Sequence, residues 1–98
     1  MFILGVDPGT ARLGWGVIAA ETMVGCGCLE TKASEPEEER LNLLFSRLEK
    51  IIKKFQPDCL ALEQLFFFKN QKTVIPVAQA RGVVLLAAAR QKLPVFSY

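Results

Sequence analysis

Two short apolar runs each end in a single carboxylate: Ile3-Leu4-Gly5-Val6-Asp7 and Cys59-Leu60-Ala61-Leu62-Glu63. Such runs suit strands buried on both faces, and open α/β sheets bind ligands at the carboxyl ends of their strands. Were the two strands neighbours, their ends would sit about 4.8 Å apart. Two carboxylates roughly 5 Å apart, at an effective dielectric of about 20, repel by about 3 kcal/mol. A proton on one of them, or a divalent cation between them, relieves that repulsion. The chain has no histidine, which removes the usual general base. An oxygen-only pair suits Mg²⁺, with Mn²⁺ as a substitute, and metals so held can activate water and stabilise the leaving oxygen of a phosphodiester. Spacing alone leaves a structural alternative open, in which Asp7 caps the Pro8-Gly9 turn and Glu63 pairs with a lysine.

The remaining chemistry is sparse. Cys26-Gly27-Cys28 could form half of a metal clip, but a zinc site wants a second such pair or histidine partners. With Cys59 the count is odd, so the thiols are expected to pack or to sit reduced. The longest unbroken apolar stretch, Val83 to Ala89, has seven residues, far below the roughly 18 of a membrane span. No basic n-region precedes Asp7, so no secretory signal is expected. The chain reads as cytoplasmic, with no membrane partner.

Half of the 98 residues (51%) are apolar and 22% are charged, which excludes a disordered tail and fits one domain over residues 1–98. The net charge of +2 hides an asymmetry. Residues 1–63 hold seven basic and ten acidic side chains, whereas residues 64–98 hold five basic ones and no acid. A basic final third points towards a polyanionic partner, or simply offsets the acidic front.

The elements that must position the carboxylates follow from pattern. The runs Phe2–Val6, Leu13–Ala20 and Met23–Thr31 are joined too briefly for helices, so they predict an antiparallel meander. Gly14 and Gly16, two apart in the second run, suggest close approach to that face. Ser34 and Glu37 have capping-box spacing around Pro36. Leu41, Leu44, Phe45, Leu48, Ile51, Ile52 and Phe55 then form one helical stripe, ended by Gln56-Pro57-Asp58. Cys59–Leu62 predicts a fourth strand, parallel to a neighbour because a helix precedes it. A second helix is expected from about Thr73 or Pro76 to Gln91, with a slim surface at Ala78, Ala80, Gly82 and Ala87–Ala89. Val95 to Tyr98 predicts a fifth strand. Two helices cannot cover both faces of an apolar sheet, so part of one face is expected to be bare.

Taken together, several of these segments resemble the RuvC-type Holliday junction resolvases. They are Gly5-Val6-Asp7-Pro8-Gly9-Thr10 with Gly14-Trp15-Gly16-Val17-Ile18, Phe55-Gln56-Pro57-Asp58, and Ala61-Leu62-Glu63-Gln64 with Phe66, Lys69 and Asn70. Gln79-Ala80-Arg81-Gly82 and Leu93-Pro94-Val95-Phe96 complete the set. The resemblance covers nearly the whole chain, in order.

That resemblance implies a ribonuclease-H-like α/β fold. Its five-stranded mixed sheet has three antiparallel strands, then two parallel ones, with covering helices. It implies a homodimer that cuts four-way DNA junctions using Mg²⁺ in recombination and repair, working with a branch-migration helicase complex. Asp7 and Glu63 match the family's metal ligands, and Phe66 matches an aromatic that stacks near the crossover. Lys69, Asn70, Lys72 and Arg81 are candidate DNA contacts, and the slim second helix is the expected dimer contact. The family carries two more catalytic acids on a final helix beyond the fifth strand. These 98 residues lack that helix, and have no acid after Glu63, so the piece alone is expected to be inactive. Two rivals are an ATP-binding domain of the actin, sugar-kinase and Hsp70 kind, whose first phosphate loop Asp7-Pro8-Gly9-Thr10 also resembles, and a non-catalytic relative that binds branched DNA as a scaffold.

Overall fold

The computed structural model describes residues 1–9, 11–63 and 71–97, the side chains of residues 71–73 excepted. The element order is β1 (Phe2–Asp7), β2 (Arg12–Ala19), β3 (Thr22–Glu30), α1 (Glu37–Phe55), β4 (Cys59–Leu62), α2 (Gln71–Arg90) and β5 (Val95–Ser97). The strands form one sheet in the order β3-β2-β1-β4-β5. β1, β2 and β3 are antiparallel neighbours, while β4 lies parallel to both β1 and β5. This is the expected mixed sheet.

Alternation sorts the strand residues onto two faces. On one face, Leu4, Val6, Leu13, Val17, Leu29, Leu60 and Leu62 are buried in a single cluster with Leu44, Leu48 and Ile52 of α1 and Ala80, Val84, Ala87 and Ala88 of α2. The amphipathic stripe read from the sequence is thus what seats α1 on the sheet. Gly25 and Gly27 belong to this packed side. A methyl group at Gly25 would lie 2.6 Å from the ring of Phe55, and one at Gly27 would lie 2.9 Å from the Trp15 indole nitrogen. Those two rings in turn pack at 5.7 Å.

The other face is bare in part, as expected of two helices. Phe96 is 61% exposed, Met23 56% and Ile18 41%. Their strands meet there over Gly5, Gly14, Gly16 and Ala61, so little side chain stands between them.

Two boundaries differ from expectation. Pro36 is the N-cap of α1 and no side chain caps the helix. Ser34 sits too far upstream, and the carbonyl of Pro36 accepts from the amides of Glu39 and Arg40 instead. Glu37, Glu38 and Glu39 still face the positive end of the helix dipole. α2 begins at Gln71, so Pro76 lies inside it. So near the start, its missing N–H forfeits only one bond to the preceding turn. The segment 64–70 and Tyr98 lie outside the described residues, which leaves the expected positions of Phe66, Lys69 and Asn70 undescribed.

Candidate metal centre

The position of Asp7 relative to Glu63 is a matter of register. Ile3, Leu4, Gly5 and Val6 of β1 pair with Cys59, Leu60, Ala61 and Leu62 of β4. Asp7 and Glu63 each follow the last pair, so both stand at the same height on adjacent parallel strands, about 4.8 Å apart in backbone spacing. A clasp at the other end of the strands sets this register. The Phe2 amide donates to Asp58 Oδ2 at 2.7 Å, and the Asp58 amide donates back to the Phe2 carbonyl at 2.8 Å. With β1 and β4 locked at their starts, the carboxylates at their ends cannot slip apart.

Both side chains are exposed, and neither carboxylate makes a hydrogen bond or ion pair with another described residue. Asp7 continues the face of Ile3 and Gly5, the one the helices leave open. A Cβ built on Gly14, its partner on β2, would lie 4.0 Å from the Asp7 Cβ, so glycine leaves that flank of the aspartate unfilled. Two unengaged hard oxygen donors on neighbouring strands fit Mg²⁺ or Mn²⁺ chemically. No group of three or more potential metal ligands occurs among the described residues, so the candidate site is a pair of carboxylates.

The thiols do not join it. Cys26 and Cys28, expected to pack or to sit reduced, are free and exposed on the edge strand β3, and Cys59 is buried and free.

Of the residues expected to meet DNA, Lys72 lies in the first turn of α2, its side chain outside the described residues. Arg81, farther along α2, is half-buried. Its Nη2 donates to Ser97 Oγ at 3.0 Å, and its Nε is buried without a partner. Ser97 pairs with Leu62, the residue before Glu63, so Arg81 braces the strand end beside the two carboxylates. A buried donor left unpaired costs about 1–3 kcal/mol.

Charge counting by segment overlooked Arg12, which stands at the carboxyl rim of β1. Its Nε lies 3.5 Å from Glu30 Oε1. Its hydrogen bond to Cys28, then the charges of Cys28 and Glu30, raise its pKa above the ordinary arginine value. The signal that could have found it was its even spacing from Gly14 and Gly16, which puts all three on the face of Asp7.

With this geometry established, comparison with known proteins is direct. The family model for crossover junction endodeoxyribonuclease RuvC matches residues 3–98. The chain belongs to the RuvC family. A RuvC of Pelotomaculum thermopropionicum is 47% identical over the whole of this chain and 62% of its own length. The Thermus thermophilus RuvC solved in complex with a Holliday junction substrate is 31% identical, with a TM-score of 0.92 over all of this chain and 64% of that one. The chain therefore spans under two thirds of the length of these RuvC relatives, and its ribonuclease-H-like fold is theirs. A ROK hexokinase from Thermus thermophilus matches at 16% identity and a TM-score of 0.56. That likeness is one of fold alone.

Proposed function

We propose that this chain is the metal-binding core of a structure-selective DNA endonuclease, which in its full-length form cuts four-way junctions by Mg²⁺-dependent phosphodiester hydrolysis in recombination and repair. The β1–β4 register carries the reading, because it sets Asp7 and Glu63 side by side on the open face. Asp7 and Glu63 would hold Mg²⁺, or Mn²⁺ in its place. When bound, the metal supplies activation of water and stabilisation of the leaving oxygen. The chain's own contribution is to hold two carboxylates at fixed height on strands that the Phe2–Asp58 clasp locks together. Two carboxylates are too few for a two-metal clamp, so the 98-residue piece alone is expected not to cut.

The DNA would approach along the carboxyl ends of the strands. The N-terminus of α2 lies there, with no acid in its first turn, in contrast to the three glutamates that open α1. A helix N-terminus without acids favours phosphate, and Lys69, Asn70, Lys72 and Arg81 would add polar and basic contacts. Phe66 would stack on an exposed base at the crossover, an interaction worth about 1–3 kcal/mol.

The dimer contact would be α2. Ile75 is 68% exposed and Leu86 54%. Gly82 lies between them on the same side of the helix, with open space where a side chain would stand. Large exposed apolar groups flanking a gap suit close packing against a second copy. A cytoplasmic setting and a branch-migration helicase partner follow the same family reading. No described helix is long and apolar enough to cross a membrane.

The test is cleavage of a synthetic four-way junction by the full-length chain with Mg²⁺. Loss of groups that merely support a metal ligand costs about 10–100-fold, so Asp7→Asn or Glu63→Gln should cost more than about 100-fold while junction binding persists. Unchanged cleavage in either variant refutes the metal assignment. Junction binding without cutting refutes the nuclease reading in favour of a scaffold, and failure to bind at all refutes it in favour of a nucleotide-binding role.

A further inference from the structure

One basic side chain at the rim beside Asp7 lies outside the basic stretch of residues 64–98. Arg12 opens β2, and β2 is held against the metal loop from two sides. A Cβ at Gly9 would lie 2.2 Å from the Arg12 carbonyl oxygen, so only glycine lets the turn after Asp7 close on Arg12. The Thr31 amide then donates to the Ala11 carbonyl at 3.0 Å, tying the end of β3 to the same turn. From there the register runs Asp7↔Gly14 and Gly14↔Cys28, with Arg12↔Glu30 two residues farther out. Strand alternation puts Asp7, Gly14, Cys28, Arg12 and Glu30 on one face. Arg12 is therefore on the open face, at the rim of Asp7, about 6.6 Å farther along the strand direction.

We infer that Arg12 is a phosphate contact of this rim, gripping the DNA backbone one step from the phosphate held at Asp7 and Glu63. The inference rests on the nuclease reading above and adds to it a residue for positioning the substrate. The side chain is suited to this. The guanidinium offers five donors in a rigid fork that matches a phosphate. Its partnership with Glu30 is a single exposed ion pair at 3.5 Å, a weak type of contact in water, whereas a forked arginine–phosphate contact is among the strong ones. Glu30 and Cys28 thus park the guanidinium on the rim without satisfying its fork. The glycines at 14 and 16 keep the surface beside it low enough for a nucleic-acid backbone to approach.

The experiment measures junction affinity against salt for the full-length chain and its Arg12→Gln and Arg12→Lys variants, together with KM and kcat. One lost phosphate contact flattens the slope of log affinity against log salt by about 0.9. Arg12→Gln should show that flattening, with KM raised. Arg12→Lys should keep the slope near that of the unsubstituted chain, with affinity reduced because the fork is gone. A slope in Arg12→Gln equal to that of the unsubstituted chain overturns the inference, and so does a fall in activity with no change in slope, which would make Arg12 a brace of the loop. If the unsubstituted chain does not bind the junction, the nuclease reading itself has failed, and the two failures are distinguishable.

Discussion

The two faces of this sheet are built from alternate residues of the same strands, yet they do opposite work. On the helix side, Leu4, Val6, Leu60 and Leu62 lie fully or almost fully buried, and glycine survives at Gly25 and Gly27 because aromatic rings occupy the space above them. On the far side stand Asp7, Glu63, Arg12 and two exposed thiols, over a floor of glycine and alanine. Packing is concentrated on one face and the proposed chemistry on the other. A single residue of register slip would exchange them, which is why the clasp between Phe2 and Asp58 matters to function as much as to folding.

That contrast can be broken most severely from the packed side. Leu60→Ala, at a fully buried position on the strand that leads to Glu63, should cost about 2–5 kcal/mol, read as a lower midpoint in chemical unfolding. Asp58→Ala removes the acceptor for the Phe2 amide. It should cost about 0.5–1.5 kcal/mol and, unlike Leu60→Ala, should weaken metal binding while the chain is still folded, because register is what it loosens. Ile18→Ser, on the bare face, should change stability of the 98-residue chain by no more than about 0.5 kcal/mol. The same substitution in the full-length chain sharpens the comparison, since a larger cost there would show that the remainder of the protein covers this face.

Much of the fold was legible because its signals are local. Apolar runs punctuated by Pro8-Gly9 and Gln56-Pro57 marked β1, α1 and β4 closely, and the change from short to helix-length connections marked where the sheet turns parallel. Local signals also misled. Ser34 and Glu37 had the spacing of a capping box, but the backbone at Pro36 was already extended and served as the cap. Thr73 or Pro76 read as the helix start, whereas α2 begins two to five residues earlier, at Gln71. The site was half legible. Two carboxylates ending two strands could be seen in the sequence, but their adjacency depends on β1 pairing with β4 across 56 positions of chain. Arg12 escaped for a related reason, since its nearness to Asp7 exists only once β2 folds back on β1.

Metal binding by Asp7 and Glu63 is the claim on which the rest stands, and titration of Mn²⁺ followed by electron paramagnetic resonance tests it without requiring cleavage. Asp7→Asn and Glu63→Gln should each weaken binding more than about tenfold, whereas Glu30→Gln, an acid on the same face paired with Arg12, should leave it unchanged. Equal Mn²⁺ affinity in all four proteins would contradict the account.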